Sequence, residues 1–161
     1  DVAPSRGLGD VYKRQVVNAY RMALDRYAAA PDEPLPAELS KELDYASHRP
    51  YTTGFAFGDP GAAGQAPQSA DYVSEAQISA VVLSYDAQAQ TAYVEQRNRF
   101  ADGDVLSILS PGDISRTFTV RSIRNEAGET QQTAPHPKQR LHIGCIEPVQ
   151  AGDILRKIRG H

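Results

Sequence analysis

The stretch YVEQRNRFADGDVLSILSP, Tyr93–Pro111, has the pattern of a strand, a tight turn and a second strand. Thr91–Asn98 contains several residues that favour β-structure, and Val105–Leu109 is a short apolar run that a Pro-Gly pair ends. Ala101–Asp104 supplies the turn, because glycine accepts positive φ and aspartate side chains accept hydrogen bonds from nearby amides. This stretch therefore predicts two strands that are joined through a Gly-Asp turn.

The same order of residues returns near the end of the chain. Val149–Leu155 has the same order as the first turn: an apolar residue, a spacer, Gly-Asp and then an apolar pair. We assign Gly103 and Asp104 to the first structural turn, and Gly152 and Asp153 to the second. Two strands that start from the same turn predict a small antiparallel β-barrel, so the predicted fold class is mainly β.

Other segments supply further strands of this barrel. Ile78–Tyr85 is apolar on both faces in its middle, as expected of a buried strand, and Ile154–Ile158 completes the set. Thr133–Gln139 contains two prolines and cannot be a central strand. Leu141, Ile143 and Cys145 alternate along one further strand, and their shared face is predicted to point inward. About six short strands at close spacing favour a small barrel over an open sheet.

One strand is expected to be irregular. Phe118 and Val120 share one parity, whereas Ile123 has the other. A bulge near Arg121 and Ser122 would bring all three apolar side chains to the same face, because one extra residue reverses the alternation.

Two helices precede the barrel. Val16–Ala30 carries apolar residues at three- and four-residue intervals, and Pro31 ends it. A second helix starts at Pro36, a favoured first-turn residue, and runs to about Ala46. Neither amphipathic helix has an obvious cover of its own, so we expect a missing partner.

These elements divide the chain into four segments. Residues 1–15 show no periodicity and resemble a translated library-adaptor sequence, with a disordered N-terminus as the alternative. Residues 16–46 hold the helices, 47–72 form a linker with the anchoring segment SHRPYTTGF, and 73–161 form the barrel. On this interpretation the chain is a C-terminal fragment of a longer protein.

The chain has 161 residues and a net charge of −3, with 40% apolar and 23% charged residues. This composition is typical of a soluble globular protein. No apolar run approaches the roughly 20 residues that cross a bilayer, no signal-peptide pattern is present, and the single cysteine excludes an internal disulfide. We therefore expect a cytoplasmic protein that has no membrane partner.

The barrel segment, residues 73–161, carries ten basic and ten acidic residues, and eight of the basic ones are arginine. Arginine suits planar contacts to phosphate, but a net charge of zero lacks the basic surface that is typical of nucleic-acid binding. Two interpretations stay open. Arginines that group on one face would bind a substrate, whereas arginines that each pair with an acid would stabilise a structural cap.

We assign no catalytic residue and no metal site. The histidines lack a short ligand spacing, and Cys145 has the parity of a buried thiol. The candidate substrate-binding residues are polar, basic or aromatic: His48, Arg49, Tyr51, Arg97, Asn98, Arg99 and His136. Such side chains can stack on unpaired bases and contact phosphates. The alternative is a solvated edge on which Glu95 and Arg97 form a local pair.

Six segments, in order and at similar spacing, resemble the C-terminal region of the peptidase U32 family, the collagenase-like proteases. They are YRMALDRY (20–27), SHRPYTTGF (47–55), VVLSYD (81–86), VEQRNRFADGD (94–104), APHPKQ (134–139) and DILRK (153–157). The resemblance implies a β-barrel like the second domain of elongation factor Tu, placed after a catalytic (β/α) barrel. It also implies that residues 16–46 are the end of that catalytic domain.

Some members of this family are described as proteases. Others hydroxylate a uridine or cytidine in RNA with an iron–sulfur centre and prephenate. The family's catalytic cysteines belong upstream of this chain, so the resemblance implies no cofactor here and an iron–sulfur cluster in the missing region. The function it implies is to orient RNA or protein for the missing N-terminal catalytic domain. A structural cap for that domain, or for a dimer, is the rival interpretation.

Overall fold

The computed structural model describes residues 5–46, 56–59, 61, 76–136 and 138–158. Within these residues the chain forms two helices and ten strands. In chain order they are α1 Ser5–Ala29, α2 Ala37–Tyr45, β1 Ala76–Asp86, β2 Thr91–Gln96, β3 Phe100–Ala101, β4 Val105–Leu109, β5 Thr117–Thr119, β6 Arg121–Asn125, β7 Thr130–Gln131, β8 Thr133–Ala134, β9 Arg140–Gly144 and β10 Ile154–Ile158.

Eight strands form one sheet in the order β5-β4-β10-β1-β2-β9-β6-β7, and β3 pairs with β8 in a separate ribbon. Every neighbouring pair is antiparallel. β5 and β6 lie toward opposite ends of the sheet, yet only Val120 separates them in the sequence. The sheet therefore curls, and the chain passes between its two ends through a single residue. The predicted fold class is confirmed: a curled antiparallel half-barrel is preceded by two helices.

The two Gly-Asp turns have the same conformation and hydrogen bonds. Gly103 has φ 85° and Gly152 has φ 94°, values that a residue with a Cβ rarely adopts. Asp104 and Asp153 each accept a hydrogen bond from the backbone N–H three residues earlier, at 2.9 Å in both turns. β4 and β10, which follow these turns, are neighbours in the sheet. The repeated sequence therefore builds a repeated structural unit.

The main core lies inside the curl. Strand alternation sends every second side chain inward, and these side chains form one buried apolar cluster. Its larger members are Val82, Val94, Phe100, Leu106, Ile108, Phe118, Ile123, Leu141, Ile143 and Leu155. The predicted inward face of β9 is confirmed, because Leu141, Ile143 and Cys145 are all buried.

The predicted bulge is also present. The register between β6 and β9 shifts between Arg121 and Arg124, and Ser122 has φ 48°. As a result Val120 and Ile123 are both fully buried although their parity differs. Gly144 lies opposite Arg121, where the two backbones approach closely.

The helices cover the outer face of β1, β10 and β4. Ile78, Leu109 and Ile154 point outward and form a second small cluster, against which Tyr12 of α1 packs. This arrangement explains why β1 is apolar on both faces. The attachment is also polar, since Asn18 of α1 donates to Ser110 O at 3.0 Å and accepts from the N–H of Gly112 at 2.8 Å.

An ion pair fastens α2 to the same face of the sheet. Arg156 of β10 makes two hydrogen bonds to the Glu42 carboxylate, and both side chains are buried. The Arg156 guanidinium also lies 5.8 Å from the centre of the Tyr45 ring. Gln15 of α1 donates to Glu42 O at 3.1 Å, so the two helices and the sheet meet at one polar joint.

One expectation about the helices is wrong, since α1 begins at Ser5 rather than at Val16. A face of α1 that includes the buried Gln15 and Ala19 packs on α2 and on the sheet. The predicted apolar stripe, at Val17, Tyr20, Leu24 and Tyr27, is exposed, and the partner expected to cover it stays a prediction. Whether residues 1–15 belong to the natural protein stays a prediction.

Candidate nucleic-acid interface

The predicted substrate-binding residues fall into two groups. His48, Arg49 and Tyr51 lie outside the described residues, and their role stays a prediction. The other four lie after the end of β2 and in the loop between β8 and β9. This second group can be compared with the structure.

Arg97 and Asn98 are half-buried and engaged by the protein. Arg97 Nη2 lies 2.9 Å from Glu95 Oε1, which is the local pair that the sequence predicted. Asn98 Nδ2 donates to Ile78 O at 2.6 Å, and the backbone N–H groups of Arg97 and Asn98 both donate to Ser79 O. These contacts fasten the end of β2 to β1.

Arg99 and His136 are exposed and flank the β3–β8 ribbon. The ribbon pairs Phe100 with Ala134. Arg99 immediately precedes Phe100, and His136 follows Ala134 by two residues. Both predicted residues therefore lie at the same end of the ribbon, although they are far apart in the sequence.

The interior below this end of the sheet is polar. The buried Gln96 donates its backbone N–H to Gln139 O at 2.9 Å, and its Nε2 donates to Ala134 O. The Oε1 atoms of Gln96 and Gln139 have no hydrogen-bond partner among the described residues. Arg97 Nε is likewise buried without a partner, and a buried polar atom without a hydrogen bond is costly.

A second surface groups aromatic and arginine side chains on the outside of β2, β9 and β6. We call it the outer face and define it by Tyr93, Arg124, Arg140 and His142. Tyr93 pairs with His142 across β2 and β9, and His142 pairs with Arg124 across β9 and β6. Arg140 precedes His142 by two residues and therefore points the same way. The three strands thus present one continuous row of outward side chains.

The aromatic part of the outer face is held in place. The rings of Tyr93 and His142 are stacked, with centroids 4.7 Å apart and an interplanar angle of 27°. The Tyr93 hydroxyl donates to Glu126 Oε1 at 2.7 Å. This hydrogen bond to the Glu126 carboxylate raises the pKa of the Tyr93 phenol above its usual value, and the Arg140 guanidinium offsets only part of the effect.

An open groove of about 600 Å³ runs along this surface. Its walls come from the outer face, the β1–β2 hairpin and the loop after β6. The lining side chains are mainly polar and include Ser84, Tyr93, Ser122, Arg124, Glu126 and His142. Two rings, several hydroxyls, one guanidinium and the two carboxylates of Asp86 and Glu126 therefore line one concave surface.

The arginines of the half-barrel divide between the two interpretations that the sequence left open. Arg97, Arg116 and Arg156 form ion pairs with acids. Four other arginines make no ion pair within the described part of the chain: Arg99, Arg121, Arg124 and Arg140. Arg124 and Arg140 group on the outer face, which is the arrangement that favours binding.

Sequence reasoning missed the outer face. The inward assignment of Leu141 and Ile143 already implied that Arg140 and His142 point outward, and this signal was available. Arg124 could be added only once the bulge and the β6–β9 register were known. The stacking of Tyr93 on His142 joins residues of two strands that are far apart in the sequence, so no local pattern predicts it.

The single cysteine of the chain is a buried thiol. Burial raises the pKa of the Cys145 thiol to about 11, and Sγ donates to Glu147 O at 3.2 Å. The thiol is therefore protonated at neutral pH and unreactive. Among the described residues, no group of His, Cys, Asp and Glu side chains is arranged to hold a metal ion. In the same part of the chain, neither helix combines the length and apolarity needed to cross a membrane.

Comparison with known proteins gives a consistent set of relatives. The profile of the Peptidase family U32 C-terminal domain matches residues 74–156, and that of Peptidase family U32 matches residues 5–66. The tRNA hydroxylation protein P1 of Bacillus subtilis (strain 168) is 29% identical over 147 residues, which are 91% of this chain and 35% of that protein. The chain thus spans about a third of the length of this curated relative.

Two crystal structures of the C-terminal domain of a Geobacillus thermoleovorans protein classed as a U32 peptidase also match. The selenomethionine variant is 30% identical, covers 50% of this chain and 99% of its own, and has a TM-score of 0.48. The second structure is 26% identical, covers 52% and 93% respectively, and has the same TM-score of 0.48. Because the profile of the C-terminal domain covers half of the sequence and the other family profile precedes it in order, the chain belongs to the peptidase U32 family.

Proposed function

We propose that this chain is the substrate-orienting C-terminal part of a U32 family protein that takes part in RNA hydroxylation, and that RNA is the substrate it holds. The observation that carries the proposal is the outer face, where Arg124 and Arg140 lie beside the stacked rings of the half-buried Tyr93 and the exposed His142. Neither arginine forms an ion pair among the described residues. Guanidinium groups contact phosphates, and rings stack on bases.

The relative supports RNA over a protein substrate. The protein of Bacillus subtilis that matches 91% of this chain is described by its role in tRNA hydroxylation. A collagen-like protein substrate, which the family resemblance also allows, has less support in the outer face, because arginines beside stacked rings suit phosphates and bases. We therefore propose RNA rather than protein as the substrate.

Catalysis itself would belong to another part of the protein. The iron–sulfur centre that the family resemblance implies needs several thiolate ligands, whereas this sequence has one cysteine. Cys145 is buried and its pKa is raised to about 11, so the residues present do not fit such a group. The chain would hold and orient the RNA and leave the chemistry to the other part.

A titration of labelled tRNA with the full chain tests this proposal. We expect weak binding that falls as salt rises, because each phosphate contact releases counterions. Replacing Arg124→Ala and Arg140→Ala together should weaken binding and reduce the slope of log K against log salt by about 1.5–2. The matched control is Arg21→Ala with Arg26→Ala, which removes two exposed arginines of α1 and should leave binding unchanged.

A chain that binds no tRNA at low salt would contradict the proposal, as would binding that the Arg124 and Arg140 replacements leave unchanged. In either case the structural cap becomes the better account. One observation favours that second function: Val17 and Leu24 are about two-thirds exposed in an apolar stripe along α1. The stripe would then pack on the preceding part of a longer U32 protein.

Serine substitutions at Tyr20 and Leu24 separate the two functions. Both side chains are exposed, so the free energy of unfolding of this chain should change little. If the stripe is a contact surface, the same substitutions in the longer protein should lower its stability. If the stripe is not a contact surface, the substitutions should change the stability of the longer protein as little as they change that of this chain.

A further inference from the structure

We propose that the stacked Tyr93–His142 pair is a platform for an unpaired nucleobase of single-stranded RNA; this inference rests on the proposed function and specifies its ligand. The pair is the only aromatic stack between two strands within the described residues. His142 lies between Tyr93 and Arg124 in the row across the three strands, and both rings line the groove. A base that enters the groove would therefore meet these rings.

The dimensions and lining of the groove fit a base with its sugar and phosphate. A volume of about 600 Å³ lies within the roughly 300–1,000 Å³ of ordinary small-molecule sites. The rings supply a flat apolar surface, on which any of the four bases can stack. Ser122 adds a hydroxyl that can bond to a base edge or to the ribose 2′-hydroxyl. The Asn125 amide is held by two hydrogen bonds to Glu129 and shapes the wall.

The platform is rigid before any ligand arrives. Tyr93 is fixed at both ends, by its backbone in β2 and by the hydroxyl that donates to Glu126. The phenol is neutral at physiological pH like any tyrosine, and the Glu126 carboxylate that orients it lies 2.7 Å away. A fixed ring loses little conformational freedom on binding, which favours association.

The charge pattern favours a single strand over a duplex. Arg124 lies beyond His142 on β6, and Arg140 lies two residues from His142 along β9, so each arginine can contact a phosphate next to a base on the rings. The bases of a duplex are stacked inside it and cannot reach a ring on a curved protein surface. A loop or an unpaired end of a folded RNA presents both a free base and its phosphates.

Fluorescence anisotropy with the full chain tests the platform. The probes are a labelled oligouridine of about 12 nucleotides, within the usual site size, and an RNA duplex of the same length. Tyr93→Ala should weaken binding of oligouridine about tenfold, whereas Tyr93→Phe keeps the ring and should bind within about twofold of the parent. Tyr27→Ala, which removes an exposed ring on α1, is the matched control and should change nothing.

The outcomes separate the platform from the proposed function. Equal binding of oligouridine and duplex, with neither affected by Tyr93→Ala, overturns the platform and leaves RNA binding by arginines intact. No binding of oligouridine, duplex or tRNA at low salt overturns both. If Tyr93→Ala does not fold by circular dichroism, His142→Ala against His142→Phe gives the same comparison on the other ring.

Discussion

Arg156 and Glu42 form a buried bidentate ion pair between β10 and α2. Arg156 Nη1 lies 2.7 Å from Glu42 Oε2, and Nη2 lies 2.9 Å from Oε1. The two side chains are 0% and 3% exposed. Ser107 Oγ accepts a further hydrogen bond from Nη2 at 3.2 Å. The helices are thus joined to the half-barrel by a desolvated charge pair in addition to apolar contact.

Breaking this pair should destabilise the chain strongly. Glu42→Ala leaves a guanidinium buried without its counter-charge, and we expect a loss of about 3–5 kcal/mol in the free energy of unfolding. Urea unfolding followed by circular dichroism measures it. The double variant Glu42→Leu with Arg156→Met removes both charges and should recover most of the loss, since apolar replacement of a buried pair is often neutral.

The matched control is the exposed pair between Arg21 and Asp25 of α1. Arg21→Ala should cost at most about 1 kcal/mol, because water screens an exposed pair. If Glu42→Ala cost no more than Arg21→Ala, the buried pair would not be the joint that we describe.

The second prediction concerns the two Gly-Asp turns. A Cβ at Gly103 or Gly152 would meet no atom within 4 Å, so the cost of a side chain comes from the positive φ alone. Gly103→Val and Gly152→Val should each lose about 1–3 kcal/mol. Gly103→Asn should lose less, because asparagine tolerates positive φ. Valine variants as stable as the parent would show that the turns relax freely.

The third prediction concerns Gly144, where crowding and not φ is decisive. A Cβ there would lie 2.8 Å from Arg121 O and 3.1 Å from Ser122 Oγ. Gly144→Ala should therefore cost about 1–3 kcal/mol, as overpacking does. Gly9→Ala makes the same chemical change at an exposed position of α1, where a Cβ would meet no atom within 4 Å. This substitution should leave the free energy of unfolding unchanged or raise it. Equal effects of the two substitutions would contradict the close approach of β6 and β9.

The fourth prediction concerns acid. Burial alone would raise the pKa of Asp104, but hydrogen bonds from Lys157 and from the Ala101 N–H outweigh it and hold the pKa below the usual value. A carboxyl whose pKa is lower in the folded state stabilises fully above its unfolded pKa, near about 4. That stabilisation is lost as the pH falls through the lowered value.

Asp104→Asn should therefore reduce the loss of stability on acidification below about pH 4. Lys157→Met removes the principal donor and should produce a similar change. Urea midpoints measured across the acid range supply the comparison. A parent and an Asp104→Asn variant with the same pH dependence would show that this carboxyl is not responsible.

The sequence was sufficient for the fold where the signal is local. Three signals depend only on neighbouring residues: the repeated Gly-Asp motif, the apolar runs of β1, β4 and β10, and the parity change before Ile123. They predicted the two turns, the three strands and the bulge, respectively. The packed face of α1 was not predictable in this way. It is rich in polar residues such as Gln15 and Asn18, whose partners in α2 and beyond β4 are distant in the sequence.

The same distinction applies to the candidate site. Arg97 and Arg99 could be proposed because they belong to one polar run after β2, and their role stays a prediction. The outer face needs three strands in register, with a bulge in one of them, before Tyr93, His142 and Arg124 become neighbours. Pairing over such sequence distances is a property of the curled sheet and not of any local pattern.

The central claim is that RNA contacts the outer face, and ultraviolet crosslinking tests it most directly. The full chain would be irradiated with bound tRNA, and the crosslinked peptides would be identified by mass spectrometry. The account predicts crosslinks at Tyr93 and His142, with Arg124→Ala and Arg140→Ala together reducing their yield. Crosslinks confined to α1, or to Arg99 and His136 with none on β2 and β9, would contradict it.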